Sequence, residues 1–217
     1  MISRRILQLG GAAALALAMS GCALLKSPPP VQLYRFGLPM DAPSTQGDVP
    51  APLTVSIRNI DFPEASGDDR LLGVTGVETA YISGARWVSP ASTLFDDSLK
   101  AAFAQRSDRI RVLGRREPGT PPLVLQVTVT SFEARYSAPG AAPDVVVTAR
   151  AQLRTTPERR GGPIRPEDGR SVERVFSVTQ PATENRVSAI VAAFDTATRD
   201  INSQIADWTV QSAQGGR

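Results

Sequence analysis

The chain of 217 residues carries 24 Lys and Arg against 21 Asp and Glu, no histidine, and a single cysteine, Cys22. Without histidine there is no Ser-His-Asp or Cys-His nucleophile system, and the usual Cys/His zinc sites are excluded as well. The acidic residues are scattered without the spacing typical of an acid/base pair, so we expect no enzymatic activity and no cofactor.

The N-terminal residues are typical of an export signal. Arg4 and Arg5 precede the apolar run ILQLGGAAALALAM, which is too short to span a membrane as a mature helix. The sequence MSGC at 19–22 resembles the lipobox of bacterial lipoproteins, which implies cleavage before Cys22 and acylation of its sulfur. The alternative is a plain secreted protein with one spare thiol. Residues 3–8 also look like a twin-arginine signal, so the export route stays open.

Cleavage after residue 21 changes the charge argument. It removes Arg4 and Arg5 and leaves 196 residues with 22 basic and 21 acidic side chains, so the basic balance of the precursor does not indicate nucleic-acid binding. Ala23 stands after the cysteine where an aspartate would imply retention at the inner membrane. The lipobox resemblance therefore implies an outer-membrane anchor facing the periplasm. Residues 22–31 contain three consecutive prolines and predict an extended tether of about 3.1 Å per residue.

The first half of the remaining chain predicts short strands and one helix. Apolar side chains alternate in QLYRFGL and in LTVSIRNI, which indicates two strands. Residues 61–78 are expected to be irregular, followed by a hairpin of TAYIS with RWVS around Gly84. Ser89 is expected to cap a helix with Pro90 in its first turn, because apolar residues then recur at helical spacing. DRIRVLG after that helix predicts a further strand.

The second half predicts a strongly β region and a long helix. Residues 123–136, 145–155 and 171–179 alternate as three long strands of an antiparallel meander, the first with a bulge near Ser131. Thr183 is expected to cap a final helix with an apolar stripe from Val187 to Trp208 and a polar face that includes Asn202. The predicted fold is α+β: a mainly antiparallel sheet with two amphipathic helices packed on it. The expected domain is 32–211, with a disordered tail at 212–217.

Three segments in this order carry a family resemblance: QLYRFG, RWVSPASTLFDDSLKAAF and ATENRVSAIVAAFDTATRDINSQIADW. Residues 22–211 are similar to the ABC-type transport auxiliary lipoproteins, the PqiC-like membrane-integrity subunits. The resemblance implies an accessory subunit that docks an MCE-domain protein, alone or as a homo-oligomeric ring. That protein works with a permease and an ATPase to move phospholipid or other hydrophobic molecules between membranes.

Three questions stay open at this point. A lipid-binding carrier with its own apolar pocket is the alternative function, and Phe62, Leu71, Leu72 and Val74 are either lining or core residues. Arg86 and Trp87 form either a partner interface or, for Trp87, part of the core under the first helix. The loop 156–170 is either a contact loop or a solvated insertion.

Overall fold

The computed structural model describes residues 30–37, 52–114, 121–155 and 169–214. The chain divides into residues 1–31 and 32–217, and every element described below belongs to the second unit. The predicted signal segment, Cys22 and most of the tether lie outside the described residues, as do residues 156–168 of the long loop. Residues 215–217, the end of the predicted tail, also lie outside the described residues.

The described residues contain nine strands and three helices, which confirms the predicted α+β class. The strands are β1 Gln32–Tyr34, β2 Leu53–Ile57, β3 Leu72–Thr75, β4 Glu78–Tyr81, β5 Ala85–Trp87, β6 Ile110–Val112, β7 Leu123–Tyr136, β8 Asp144–Thr155 and β9 Ser171–Pro181. The helices are α1 Glu64–Gly67, α2 Ala91–Ala104 and α3 Val187–Gln214.

The large sheet is mixed and is organised around β7. Strands β8 and β9 follow on one side of β7 as the predicted antiparallel meander. Strands β2 and β3 pair with β7 in parallel, β2 at its start and β3 at its end. The outer partners are β6, parallel to β2, and β4, antiparallel to β3. The long ladders are antiparallel, as predicted, whereas the short pairs β2–β6, β2–β7 and β3–β7 are parallel.

The predicted bulge is confirmed at the expected place. Side chains at odd positions from Leu123 to Val129 are buried, and the register against β8 then shifts between Val129 and Ser131. Even positions, Phe132 and Ala134, are buried beyond the shift. The extra residue therefore keeps apolar side chains on the core face along the whole 14-residue strand.

Helices α2 and α3 cover the core face of the sheet. Helix α3 lies against β8, β9 and α2, and it buries the predicted stripe that includes Ile190, Phe194, Ile201 and Ile205. Helix α2 buries Leu94, Phe95, Leu99 and Phe103. These two stripes recur at helical spacing because each helix has one face on the sheet and the other in water.

Several local predictions for the helices are wrong. Pro90, not Ser89, occupies the cap position of α2, and no side chain hydrogen-bonds the free N–H groups there. Thr183 lies four residues before α3 begins, too far to be its cap. Helix α3 continues to Gln214, so residues 212–214 are helical and not part of a disordered tail.

The expected hairpin around Gly84 is also wrong. Strand β4 pairs with β3 instead of β5. The stretch 61–78, which was expected to be irregular, contains α1, β3 and the first residue of β4. Strand β5 pairs instead with β1 in a separate two-stranded parallel sheet. The partner of β5 comes from about 50 residues earlier in the chain, so local patterns could not identify it.

Candidate functional site

The predicted pair Arg86–Trp87 lies in β5, and its two side chains point in opposite directions because strand residues alternate. Trp87 is only 2% exposed, and its ring makes edge-on contacts with Phe36 at 4.9 Å and with Phe194 at 5.4 Å between ring centroids. Arg86 points outward and donates hydrogen bonds from Nη1 to both carboxylate oxygens of Asp69, at 2.9 and 2.8 Å. In the isolated chain Trp87 is a packing residue, and Arg86 is the exposed member of the pair.

Trp87 belongs to an aromatic cluster where strands and helices meet. Phe132 on β7 contacts Phe36, Phe62 and Phe194, with ring centroids 4.8 to 5.3 Å apart. Such tilted and edge-on ring pairs add stability beyond the apolar area that they bury. The cluster therefore connects β5, β7 and α3, and it fixes the two-stranded sheet on the body of the domain.

Gly37 joins the end of β1 to both long helices. Its backbone N–H donates to Asp195 Oδ1 on α3 at 2.8 Å. Its φ is +68°, and a Cβ at this position would lie 2.5 Å from Cβ of Ser98 on α2. A side chain is excluded here both by backbone conformation and by lack of space.

Arg106 holds the end of α2 against α3. The side chain is largely buried, and its Nε and Nη2 donate to the two carboxylate oxygens of Asp207, each at 2.7 Å. Nη1 donates to the carbonyl of Ala102 at 2.7 Å, and Nη2 also donates to Oγ of Ser203 at 2.7 Å. This bidentate geometry is the strongest arrangement of an Arg–carboxylate pair.

The pKa of Asp207 is lowered below its usual 3.8, first by the hydrogen bond from Arg106 and then by the positive charges of Arg106 and Arg109. Partial burial opposes this shift. No sequence pattern indicated Arg106 or Asp207, since Arg106 follows a helix end, where a solvated cation is the ordinary expectation. The pairing spans 101 positions, so no local pattern indicates it.

A groove of about 380 Å³ runs between the outer sides of α2 and α3. Its lining is small or polar: Ser98, Ala101, Ala102, Gln105, Thr196, Arg199, Asp200 and Ser203. Arg106 lies at one end of it, since Ala102 and Ser203 are also among its hydrogen-bond partners. The groove is thus formed by two helices that the Arg106–Asp207 pair holds together.

The residues considered for an apolar pocket lie in or beside the core. Leu71 and Leu72 are buried, and Phe62 packs its ring on Phe95 and Phe132. Val74 is half-buried on β3. The groove beside Phe62, about 370 Å³, also contains Asp61, Glu64 and Asp68, so it is not an apolar lining for an acyl chain.

Among the described residues, no group of three or more Cys, Asp or Glu side chains is placed to hold a metal ion. Three buried side chains in the same part of the chain have polar atoms without a hydrogen-bond partner: Trp87, Thr198 and Asn202. The prediction that Asn202 lies on the solvent face of the last helix is wrong, because it is fully buried. When a single polar residue lies at the border of an apolar stripe, the sequence does not show whether its side chain faces the core or the solvent.

The family described as "ABC-type transport auxiliary lipoprotein component" matches residues 34–206. Among solved structures, protein XCC0632 from Xanthomonas campestris is similar at 21% identity over 85% of this chain and 98% of that one, with a TM-score of 0.64. An uncharacterized protein is similar at 17% identity over 82% and 97% of the two chains, with a TM-score of 0.60. At these sequence identities, the two structures show a shared fold and nothing about function. No curated protein matches the chain.

The match over residues 34–206 identifies the class of protein as an auxiliary component of ABC-type transport. The chain belongs to the family of ABC-type transport auxiliary lipoproteins, which confirms the resemblance stated from the sequence. In the part of the chain that the structure describes, no helix is long and apolar enough to cross a membrane.

Proposed function

We propose that the chain is a membrane-anchored accessory subunit that docks an MCE-domain protein of an ABC transporter. The observation that carries this proposal is the family match across residues 34–206, which include the groove residues, Arg106 and the aromatic cluster. The permease and ATPase of the same transporter would supply the energy for moving phospholipid or another hydrophobic cargo. The accessory subunit itself needs no catalytic residues.

The packing of the domain supports a docking role. Gly37, Asp195 and Ser98 join the strand after the tether to both helices, and the Arg106–Asp207 pair joins the two helices to each other. A surface that is rigid before binding loses little conformational freedom on association, which favours affinity. Both of the described grooves carry charged side chains, Arg199 and Asp200 in one and Asp61, Glu64 and Asp68 in the other, which suits a protein contact better than an acyl chain.

The anchor in this proposal is Cys22, because it is the only cysteine of a chain that belongs to a lipoprotein family. Each buried methylene of an acyl chain contributes about 0.8 kcal/mol, and two or more chains hold a protein on a bilayer durably. We place this anchor in the outer membrane with the domain in the periplasm. That location follows from Ala23, by the lipobox resemblance.

The proposal is tested by purifying the full-length acylated chain from crosslinked, gently solubilised envelopes, with Cys22→Ala as the control. An MCE-domain protein recovered with the wild type and lost with the control supports it. A photo-crosslinking residue at Ala101, in the groove, or at Thr179, on the opposite face of the sheet, identifies the docking surface. If an abundant and correctly located lipoprotein recovers no transporter subunit, the proposal fails.

The same preparation separates docking from lipid carriage. Native mass spectrometry counts co-purified lipid, apart from the acyl chains at Cys22. One lipid per chain would favour the carrier, whereas a lipid-free domain that still binds the MCE-domain protein favours docking.

A further inference from the structure

The two-stranded sheet exposes apolar side chains on its outer face. Leu33 on β1 is 64% exposed, and Val88, directly after β5, is 50% exposed. Leu33 is the register partner of Arg86, so both point away from the buried Trp87. Val88 lies two residues beyond Arg86 and is held beside β1, because its N–H donates to the carbonyl of Tyr34 at 2.8 Å.

A segment with a basic residue that contacts an aromatic ring lies next to this face. The N–H of Trp87 donates to the carbonyl of Asp69 at 2.7 Å, which holds Asp69 and Arg70 alongside β5. The guanidinium carbon of Arg70 lies 3.8 Å from the ring centroid of Tyr81, which is 39% exposed. We call this set the anchor-side face: Leu33, Asp69, Arg70, Tyr81, Arg86 and Val88.

The chemistry of the anchor-side face fits a membrane surface. Tyrosine is enriched at the boundary between headgroups and acyl chains, where its ring is apolar and its hydroxyl is wet. Arginine side chains extend their charge toward lipid phosphates. The set contains two arginines, Arg70 and Arg86, and the one aspartate in it is paired with Arg86. Leu33 and Val88 add apolar area that enters the headgroup region.

The connection to the anchor decides between a membrane and a protein as the occupant. Gln32, the first residue of β1, is only ten positions after Cys22. Fully extended, ten residues span at most about 36 Å, so an acylated Cys22 keeps β1 near the bilayer surface. Of the described strands, β1 is therefore the one whose distance from the anchor the chain limits most, and β5 is paired with it.

We propose that the anchor-side face is a second membrane contact, which binds phospholipid headgroups and orients the domain on the bilayer. The predicted interface role of Arg86 is thereby assigned to lipid phosphate. This inference rests on the acylation of Cys22 in the proposed function. Its consequence is a fixed orientation, since one anchor leaves the domain free to rotate and two contacts do not.

The test uses full-length acylated protein in vesicles of phosphatidylethanolamine and phosphatidylglycerol. Because the sulfur of Cys22 is blocked by lipid, an introduced cysteine is the one free thiol. Leu33→Cys and the control Thr179→Cys, also exposed on a strand, are each labelled with an environment-sensitive fluorophore. Quenching by lipids that carry a nitroxide near the headgroup is then measured. We expect at least threefold stronger quenching at position 33 than at position 179.

Two further variants test the chemistry. Val88→Glu in the Leu33→Cys background is expected to reduce quenching to the control level without lowering the melting temperature, because Val88 is exposed. Arg70→Gln with Arg86→Gln is expected to halve the quenching, and so is replacement of phosphatidylglycerol by phosphatidylcholine.

Equal quenching at positions 33 and 179 in an acylated, folded protein would overturn the proposal and leave the docking function intact. Shielding of position 33 that appears only when a transporter subunit is added would also overturn it, because the face would then belong to a protein contact. A chain that mass measurement shows to be unacylated at Cys22 would overturn both proposals.

Discussion

The pairing of Arg106 with Asp207 gives the sharpest test of how the two helices are held together. Asp207→Asn keeps the size and shape of the side chain but removes its charge. The largely buried guanidinium of Arg106 would then have only neutral acceptors, the Ala102 carbonyl and the Ser203 hydroxyl among them. Hydrogen bonds to charged groups contribute about 1.5–3 kcal/mol each, and loss of one partner of a fully buried pair costs about 3–5 kcal/mol.

Asp207 itself is 45% exposed, so water screens the pair and the lower part of that range applies. We expect Asp207→Asn to reduce the free energy of unfolding by about 2–3 kcal/mol. In a domain of this size, that reduction lowers the melting temperature by roughly 4–12 °C. Urea unfolding at pH 7, followed by circular dichroism, measures the free energy directly.

The pH dependence provides an independent check. The folded-state pKa of Asp207 lies below 3.8, so the stabilisation from this carboxylate is fully present above that pH. It is lost as the pH falls through the folded-state pKa. The difference between wild type and Asp207→Asn should therefore be constant from pH 7 to pH 5 and narrow below about pH 4.

The matched control is Asp96→Asn, which removes a carboxylate paired with Lys100 on the exposed side of α2. An exposed pair of this kind contributes about 0.3–0.5 kcal/mol. If Asp207→Asn costs no more than this control, or if its effect is the same at pH 3 as at pH 7, the pair does not hold the helices together.

Three further predictions concern the core. Trp87→Ala should lower the free energy of unfolding in urea by about 3–5 kcal/mol, because it removes a large ring from the aromatic cluster. If the variant is normally stable but no longer binds its partner, Trp87 is an interface residue instead. Gly37→Ala should lower the melting temperature by several degrees, since it combines a strained φ with a clash against Ser98, and Ser98→Gly should restore only the part due to the clash. Asn202→Leu should leave stability unchanged or raise it by about 1 kcal/mol, because the amide has no hydrogen-bond partner in the protein. A loss above 2 kcal/mol there would show that the amide is satisfied, for example by an internal water.

Patterns of side chains along the chain were sufficient wherever a structure repeats over many residues. The three long strands, their antiparallel order and the bulge near Ser131 follow from alternation that continues over 11 to 14 residues. The stripe of α3 follows likewise from helical spacing that continues from Val187 to Trp208, about six turns. In a long strand or helix, one residue that departs from the pattern does not obscure the rest. The type of element and its buried face can therefore be predicted from the local sequence.

Short elements were not predictable in this way. Strands β3, β4 and β5 have three or four residues each, and the alternation within TAYIS and RWVS fits a hairpin as well as it fits the observed pairings. Strand β5 pairs with β1 because the Trp87 ring is buried against Phe36 and Phe194, and that contact exists only after the chain has folded. Burial of one large aromatic side chain outweighs the weak preference of a short strand for its neighbour.

The sequence by itself determined the class of this protein: an α+β domain of the transport auxiliary lipoprotein family, with an apolar stripe on each long helix. Only the tertiary structure decided that Trp87 is buried while Arg86 is exposed, that Arg106 pairs with Asp207, and that Leu33 lies uncovered beside Arg86. The physical reason is the range of the interactions. Hydrophobic periodicity acts between residues three or four apart, whereas an ion pair or a sheet register joins residues that are 50 or 100 positions apart and depends on the whole fold.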